Sequence, residues 1–294
     1  MDYRQEVREF LVSRRARITP EQAGLPAGTN RRVPGLRRGE VAALAGVSVE
    51  YYSRLERGAF AGVSASVLDA IARALQFDEA EREHLFNLAQ AAASTSVLLR
   101  RPRRAKPQHR TLHHSLQWTL DAVTAGPAFV ANARLDLLAA NALARAFYCE
   151  VVAQQQRPPN IARHQFLDPR SRRFYPDWDM SADVVVAILR TSAGRDPDGQ
   201  ELHDLISELS AGSEEFRTRW GAHDVRLHGT GVKNFHHPVV GDLTLAFEAL
   251  DMVAEPGLRV TVYTAEPGSS SEEGLLRLGA WAASLEADSP ARPR

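Results

Sequence analysis

The chain has 294 residues, of which 36 are basic and 36 acidic, so its formal net charge is zero. That length predicts two domains, and no run approaches the roughly 18 uninterrupted apolar residues that a membrane span needs. The opening MDYRQEVREF carries acids where a signal peptide is apolar, and the single cysteine, Cys149, excludes an intramolecular disulfide.

These features predict a soluble protein of the reducing cytoplasm. The apolar setting AFYCEVV predicts a buried, inert Cys149 thiol. The charge is unevenly placed: residues 1–110 hold 19 Lys+Arg and 12 Asp+Glu, and the rest hold 17 and 24. The first part can therefore face phosphates while the second repels them.

In chain order, residues 2–17 read as a helix with Val7, Phe10 and Leu11 inward. Residues 18–35 form a long connection with three Pro and three Gly. The stretch from Leu36 to Gly58, LRRGEVAALAGVSVEYYSRLERG, then reads as two short helices joined by a tight turn. Val41, Ala42, Leu44 and Ala45 form an apolar stripe on the first. Gly46 supplies a left-handed helix stop, and Ser48 an N-cap for the second. Tyr52 and Leu55 point inward, with Val47 just before the helix and Gly58 as its stop. This is the pattern of a helix-turn-helix, whose second helix enters the major groove of DNA.

Val67, Leu68, Ile71 and Leu75 mark a fourth helix. Residues 79–93 form a fifth, with Leu85, Leu88 and Ala89 inward. The basic, Pro-containing RRPRRAKPQHR, Arg100 to Arg110, reads as a linker.

The remainder mixes helix and strand. Residues 115–123 read as a helix, and 127–141 as a hairpin turning near Asn132–Arg134 before a helix with Ala144 and Phe147. Helices are expected over 181–194, 198–211 and 212–223, the last capped by Ser213. Strands are expected over 225–236, 242–251 and 258–264, and a final helix over 272–286. This order suits a helix-flanked antiparallel sheet.

The residues Ala42, Gly46, Val47, Ser48, Tyr52, Leu55, Glu56 and Gly58 resemble the helix-turn-helix of the Xre family of phage-repressor-like regulators. That family usually reads Glu–Gln–Gly–Arg after the recognition helix, where this chain has Glu56, Arg57, Gly58, Ala59. The phrases FLDPRSRRFYPDW (166–178), RDPD (195–198), EFRTRWGAHDVR (215–226), HHPVVGDLTLAFEAL (236–250) and VYTAEPGS (262–269) resemble the MmyB-like ligand-binding domain that accompanies such a helix-turn-helix. The resemblance covers residues 1 to about 280. It implies a multidomain α and α+β chain. An N-terminal five-helix phage-repressor-like domain would precede a C-terminal PAS-like antiparallel sheet with flanking helices and an apolar cavity for a small effector. The expected layout is a DNA-binding domain over 1–93, a basic linker over 94–110, a ligand-binding domain over 111–286 and a disordered tail over 287–294.

Sequence reading needs exposed side chains at the start of the recognition helix: Ser48, Val49, Glu50, Tyr51, Ser53 and Arg54. Val49 suits a thymine methyl, Glu50 the N4 amino group of cytosine, and Arg54 a guanine or a phosphate. Glu50 also suits the helix dipole alone. Arg38 sits where the related fold contacts a phosphate, and Arg31 and Arg32 are candidates for phosphate or the minor groove. Glu56 is expected to pair with Arg14 or Arg15.

For the effector, candidate wall residues are Trp118, Phe129, Leu137, Phe147, Tyr148, Trp178 and Trp220, each also at home in a core. His223 and Arg226 are candidate polar contacts, near Asp224, His236 and His237. Ala140 and Ala246 are expected to point inward. The histidines 223, 228, 236 and 237 lack metal-site spacing and cysteine support, so no metal or cofactor is expected. No GxSxG, HExxH, P-loop or GxGxxG occurs.

Three readings follow. The first is a one-component transcriptional regulator, a repressor before an activator, that binds a double-stranded operator as a homodimer and a small hydrophobic, acyl-like effector. The second is a DNA-binding protein whose C-terminal domain only dimerises or recruits a protein. The third is a fused enzyme.

Overall fold

The computed structural model describes residues 3–26, 31, 33–60, 62–98, 113–153, 158–196, 199–222 and 229–287. The chain divides into two units. One comprises Met1–Lys106, Val186–Asp204 and Arg217–Leu227; the other comprises Pro107–Val185, Leu205–Phe216 and His228–Arg294.

The first unit begins with five helices: α1 (Tyr3–Arg17), α2 (Arg38–Leu44), α3 (Val49–Glu56), α4 (Ala65–Ala74) and α5 (Glu79–Leu98). Their inner faces meet in one core of Val7, Phe10, Leu11, Leu36, Val41, Tyr52, Leu55, Ile71 and Leu85, all buried. The expected inward faces of α1, α4 and α5 hold, with Val67 packed at the edge of the core. Leu44 is a correction. It is 38% exposed, because α2 turns Val41 and Ala42, with Ala45 just after it, to the core and leaves Leu44 off that stripe. The helix expected over 79–93 runs on to Leu98, into the expected linker. The sequence there, AAASTSVL, holds no Gly or Pro to stop it. Residues 99–110 and the tail over 288–294 lie outside the described residues.

The second unit carries α6 (His114–Asp121), β1 (Ala128–Asn132), β2 (Leu137–Ala140), α7 (Ala142–Phe147), α8 (Cys149–Val152), α9 (Ile161–Leu167) and α10 (Ser171–Phe174). Helices α11 (Trp178–Arg195), α12 (Gln200–Gly212) and α13 (Glu214–Gly221) follow, and the boundary between the units falls along them. The chain ends with β3 (Thr230–His237), β4 (Gly241–Asp251), β5 (Leu258–Thr264) and α14 (Ser270–Ala287). All pairings are antiparallel and the strand order is β2-β1-β5-β4-β3. The expected PAS-like sheet with flanking helices is therefore present. Helices α8, α9 and α10 were not foreseen.

Strand register sorts the side chains. Phe129 lies opposite Ala140 and Thr261, Phe247 opposite Tyr263, and Phe235 opposite Leu243. These share the inner face, covered in part by α7 and α14, which contact each other closely. On the outer face, Val130 and Ala128 join Leu120 of α6 in a smaller core. Ala140 thus faces inward as expected, but Ala246 does not. It is exposed and lies opposite Val232, itself 61% exposed.

Asn141 fixes the corner where β2 becomes α7. Its Oδ1 accepts from the N–H groups of Ala128 and Ala144, and its Nδ2 donates to the carbonyls of Val123 and Gly126. A buried amide satisfied on both sides holds strand, loop and helix in one geometry.

Candidate functional site: a nucleic-acid interface and an aromatic sensor core

The recognition element is built by two stops and one cap. Gly46 has φ +66° and Gly58 φ +85°, the left-handed conformations that end α2 and α3. At Gly58 a Cβ would also lie 2.7 Å from the Arg4 Cα, so α3 closes directly against α1. Ser48 Oγ accepts from the Tyr51 N–H at 3.1 Å. Tyr52 and Leu55 anchor α3 in the core at full burial. The opposite side stays open: Ser48, Glu50 and Arg54 are exposed, Val49 is 44% exposed, and Tyr51 and Ser53 are half-buried. Arg54 lies over the Tyr51 ring, 4.9 Å from its centroid, so the pair forms a flat cationic surface.

The flanking arginines are more constrained. Glu56 is buried and receives both Arg15 Nε at 3.1 Å and Arg38 Nε at 2.9 Å. The expected Glu56–Arg15 pair is present, whereas Arg14 pairs with Glu81 at 2.9 Å. Arg38 remains half-exposed, so one side of its guanidinium faces outward. Arg31 is turned into the protein. It donates to both oxygens of Glu40, at 2.7 and 2.8 Å, and to the Gly35 carbonyl. Those hydrogen bonds hold the Glu40 carboxyl down at about 2. The Glu40 carboxylate also accepts from the Arg37 N–H at the start of α2. Arg32 lies outside the described residues.

The second unit gathers aromatic rings between its sheet and short helices. Phe147 of α7 is fully buried and touches Tyr148, Phe174, Phe235 and Tyr263, with ring centroids 4.9–5.6 Å apart. Phe129 packs edge-on to Tyr148 at 5.4 Å, and Phe247 meets Tyr263 at 6.1 Å. Of the expected wall residues, the structure brings Phe129, Phe147 and Tyr148 together here. Leu137 is half-buried on β2. Trp178 forms a neighbouring cluster, 5.8 Å from Phe166, which in turn lies 5.0 Å from Phe216. Trp118 belongs to neither cluster and is 71% exposed on α6. Trp220 belongs to the other unit, beneath the Arg190 guanidinium at 4.2 Å. His223, Asp224, Arg226 and His228 lie outside the described residues.

Sequence reasoning missed Phe174, Tyr175, Phe235, Phe247, Tyr263 and Lys233 in this interior. Strand alternation was the available signal. Lys233 is on the inner face of β3, two residues before Phe235, with Nζ 4.9 Å from the Phe247 centroid. Burial lowers its ammonium to about 8. Tyr148 and Tyr263 place their hydroxyls 3.3 Å apart. Burial raises both phenols, Tyr263 to about 12.

His237 ends β3 as a hydrogen-bonded core residue. Its Nδ1 accepts from the Val239 N–H and its Nε2 donates to the Ala146 carbonyl. Burial pushes its pKa down. His236 is exposed beside Asp242 at 2.6 Å. Among the described residues, no three His, Cys, Asp or Glu side chains group as a metal site. Cys149 is half-buried rather than buried, 4.0 Å from His237 Nε2, and burial raises its thiol.

No helix among the described residues is long and apolar enough to cross a membrane. No curated protein matches the chain. Residues 9–85 match a helix-turn-helix domain, and residues 112–278 match the MmyB-like transcription regulator ligand binding domain. The capped, outward-facing α3 and the PAS-like strand order agree with those two matches, and the chain belongs to the MmyB-like transcription regulators.

Proposed function

We propose that this DNA-binding regulator is a homodimeric repressor acting in the cytoplasm, and that it leaves its operator when a small hydrophobic effector enters the C-terminal domain. The open side of α3 carries the first half of this reading. Ser48, Val49, Glu50 and Arg54 stand exposed on a helix whose other side is locked into the core. Val49 offers a methyl contact to thymine, Glu50 an acceptor for cytosine, and Arg54 a bidentate donor to guanine. Arg38 offers a phosphate contact, and Arg31 acts through Glu40 by fixing the start of α2. A single short helix reads few base pairs, which is why two copies on a near-palindrome are proposed.

The aromatic interior of the second unit supports the effector half. Phe129, Phe147 and Tyr148 supply apolar walls, and ligand sites are mostly apolar with a few polar groups. An effector that binds two arrangements of the protein unequally shifts DNA affinity by that difference.

Selection of random duplex DNA with the full-length protein tests the reading. Enrichment of two half-sites about one helical turn apart is expected. Failure to enrich any sequence overturns it. A companion variant, Ala140→Trp, fills the inner face beside Phe129 and is expected to bind the selected DNA while losing its response to small molecules extracted from the native protein.

A further inference from the structure

The aromatic interior holds polar atoms that apolar packing does not account for. Three phenols are buried there, Tyr148, Tyr175 and Tyr263, and the Tyr148 and Tyr263 hydroxyls stand 3.3 Å apart. His164 of α9 shares the wall formed by Phe174 and Tyr175, with ring centroids 6.0 and 6.3 Å away. It is wholly buried. Its Nδ1 stands 3.6 Å from Asp168 Oδ2, beyond hydrogen-bond distance, and neither ring nitrogen has a hydrogen-bond partner among the described residues. Native interiors leave few buried polar atoms in that condition, because each forfeits its hydration without compensation.

The surroundings set the protonation of this ring. Arg170 donates to both oxygens of Asp168, at 2.6–3.1 Å, and holds it ionised. That carboxylate is the charge next to Nδ1, which favours the tautomer with the proton on Nδ1 and a lone pair on Nε2. Burial keeps the ring neutral. The phenols are complementary: the contact between Tyr148 and Tyr263 uses one hydroxyl proton and leaves another to donate. The wall thus offers an acceptor on His164 and a donor among the phenols, with no charge on either.

We propose that His164 and the Tyr148–Tyr175–Tyr263 phenols form the polar end of the effector site, and that the effector is an apolar molecule bearing a neutral hydroxyl group. The hydroxyl hydrogen goes to His164 Nε2 and its oxygen accepts from a phenol. An acid would need a cation instead. On this sheet face Lys233 has its ammonium over the Phe247 ring. The proposal rests on the effector-binding reading given above.

The test is calorimetric titration of the full-length protein with three probes on one naphthalene frame: 2-naphthol, 2-methoxynaphthalene and 2-naphthoic acid. Wild type is expected to bind 2-naphthol about tenfold more tightly than either of the others, the ratio that one hydrogen bond supplies. His164→Leu is expected to erase that preference, and His164→Gln, which keeps an acceptor, to retain part of it. Unliganded His164→Leu is expected to melt no lower than wild type, since it removes an uncompensated buried nitrogen. Equal binding of naphthol and its ether, preference for the acid, or an unchanged preference in His164→Leu overturns the hydroxyl assignment and leaves effector binding standing. Binding of none of the three probes overturns the site itself. The effector-binding reading is judged separately, by the response of DNA affinity to molecules extracted from the native protein.

Discussion

Arg190 donates from its guanidinium to the Glu6 carboxylate at 2.5 Å, with Arg190 at 0% and Glu6 at 5% exposure. The pair joins α1 to the part of α11 that belongs to the same unit. Arg190 also donates to the Trp220 carbonyl, and Gly194 packs against His84 of α5, where a Cβ would lie 2.9 Å from the ring. Arg195 meets Glu83 at 2.6 Å. Helices α1 and α5 are therefore braced by residues 112 to 184 positions downstream of the side chains they bind. Removing one partner of a buried pair costs far more than the pair contributes. Arg190→Met is expected to lower unfolding free energy by about 3–5 kcal/mol in urea titration, and the double change with Glu6→Leu to restore most of it. A double variant no more stable than Arg190→Met would contradict this.

Glu56 and Arg38 separate stability from DNA binding. Glu56 is buried between Arg15 and Arg38, so Glu56→Ala is expected to cost about 1–3 kcal/mol of stability. Arg38 is half-exposed, so Arg38→Ala is expected to cost less than about 1 kcal/mol. On DNA the same change is expected to weaken binding alike on operator and random duplex and to lower the salt slope by about one unit. An unchanged slope would remove Arg38 from the phosphate contacts.

The proposed base contacts lie at the exposed start of α3. Arg54→Ala or Glu50→Ala is expected to relax preference at one position per half-site, at about 1–3 kcal/mol for a bidentate contact. Repeating the selection with each variant measures this. If both return the wild-type sequence preference, the bases are read by other residues.

Lys233 gives a pH signature. Its folded pKa, near 8, lies below its ordinary 10.5, so the unfolded chain binds the extra proton between those values. Stability from this group therefore rises with pH through that window, and below pH 8 the buried ammonium is a standing cost. Lys233→Met is expected to raise Tm at pH 7, with the gain shrinking as pH approaches 10. A Tm difference that is independent of pH would show that the charge is not the cause.

The sequence made the DNA-binding half readable because its signals are local. Gly46, Ser48, Tyr52, Leu55 and Gly58 each act within one turn of chain, and each does in the structure what its residue type implies. The sheet was readable for the same reason, since alternation marks strands without knowledge of their partners. The sensor interior was less so. Phe174 and Tyr175 sit on or just after α10, a four-residue helix too short for periodicity to show. Their role arises from Phe235, which lies about 60 residues away and meets both of them only in the folded chain. Composition ranked the tryptophans as pocket walls, yet Trp118 is exposed and Trp220 stacks on Arg190. No local pattern distinguishes those three surroundings of an aromatic residue. The partners of Arg31 and Arg190 were equally hidden, because charge patterning shows a basic region but not which guanidinium turns inward.

Effector control of operator binding is tested most directly by one comparison of DNA affinity. Small molecules are extracted from the native protein, the protein is stripped and refolded, and its selected operator is titrated with and without the extract at one salt concentration. The account predicts that the extract weakens operator binding about 5- to 150-fold, the usual range of coupling between two sites, and does so less in Ala140→Trp. Identical operator affinity with and without the extract, across wild type and variant, would contradict it and leave the C-terminal domain as a scaffold for dimerisation or recruitment.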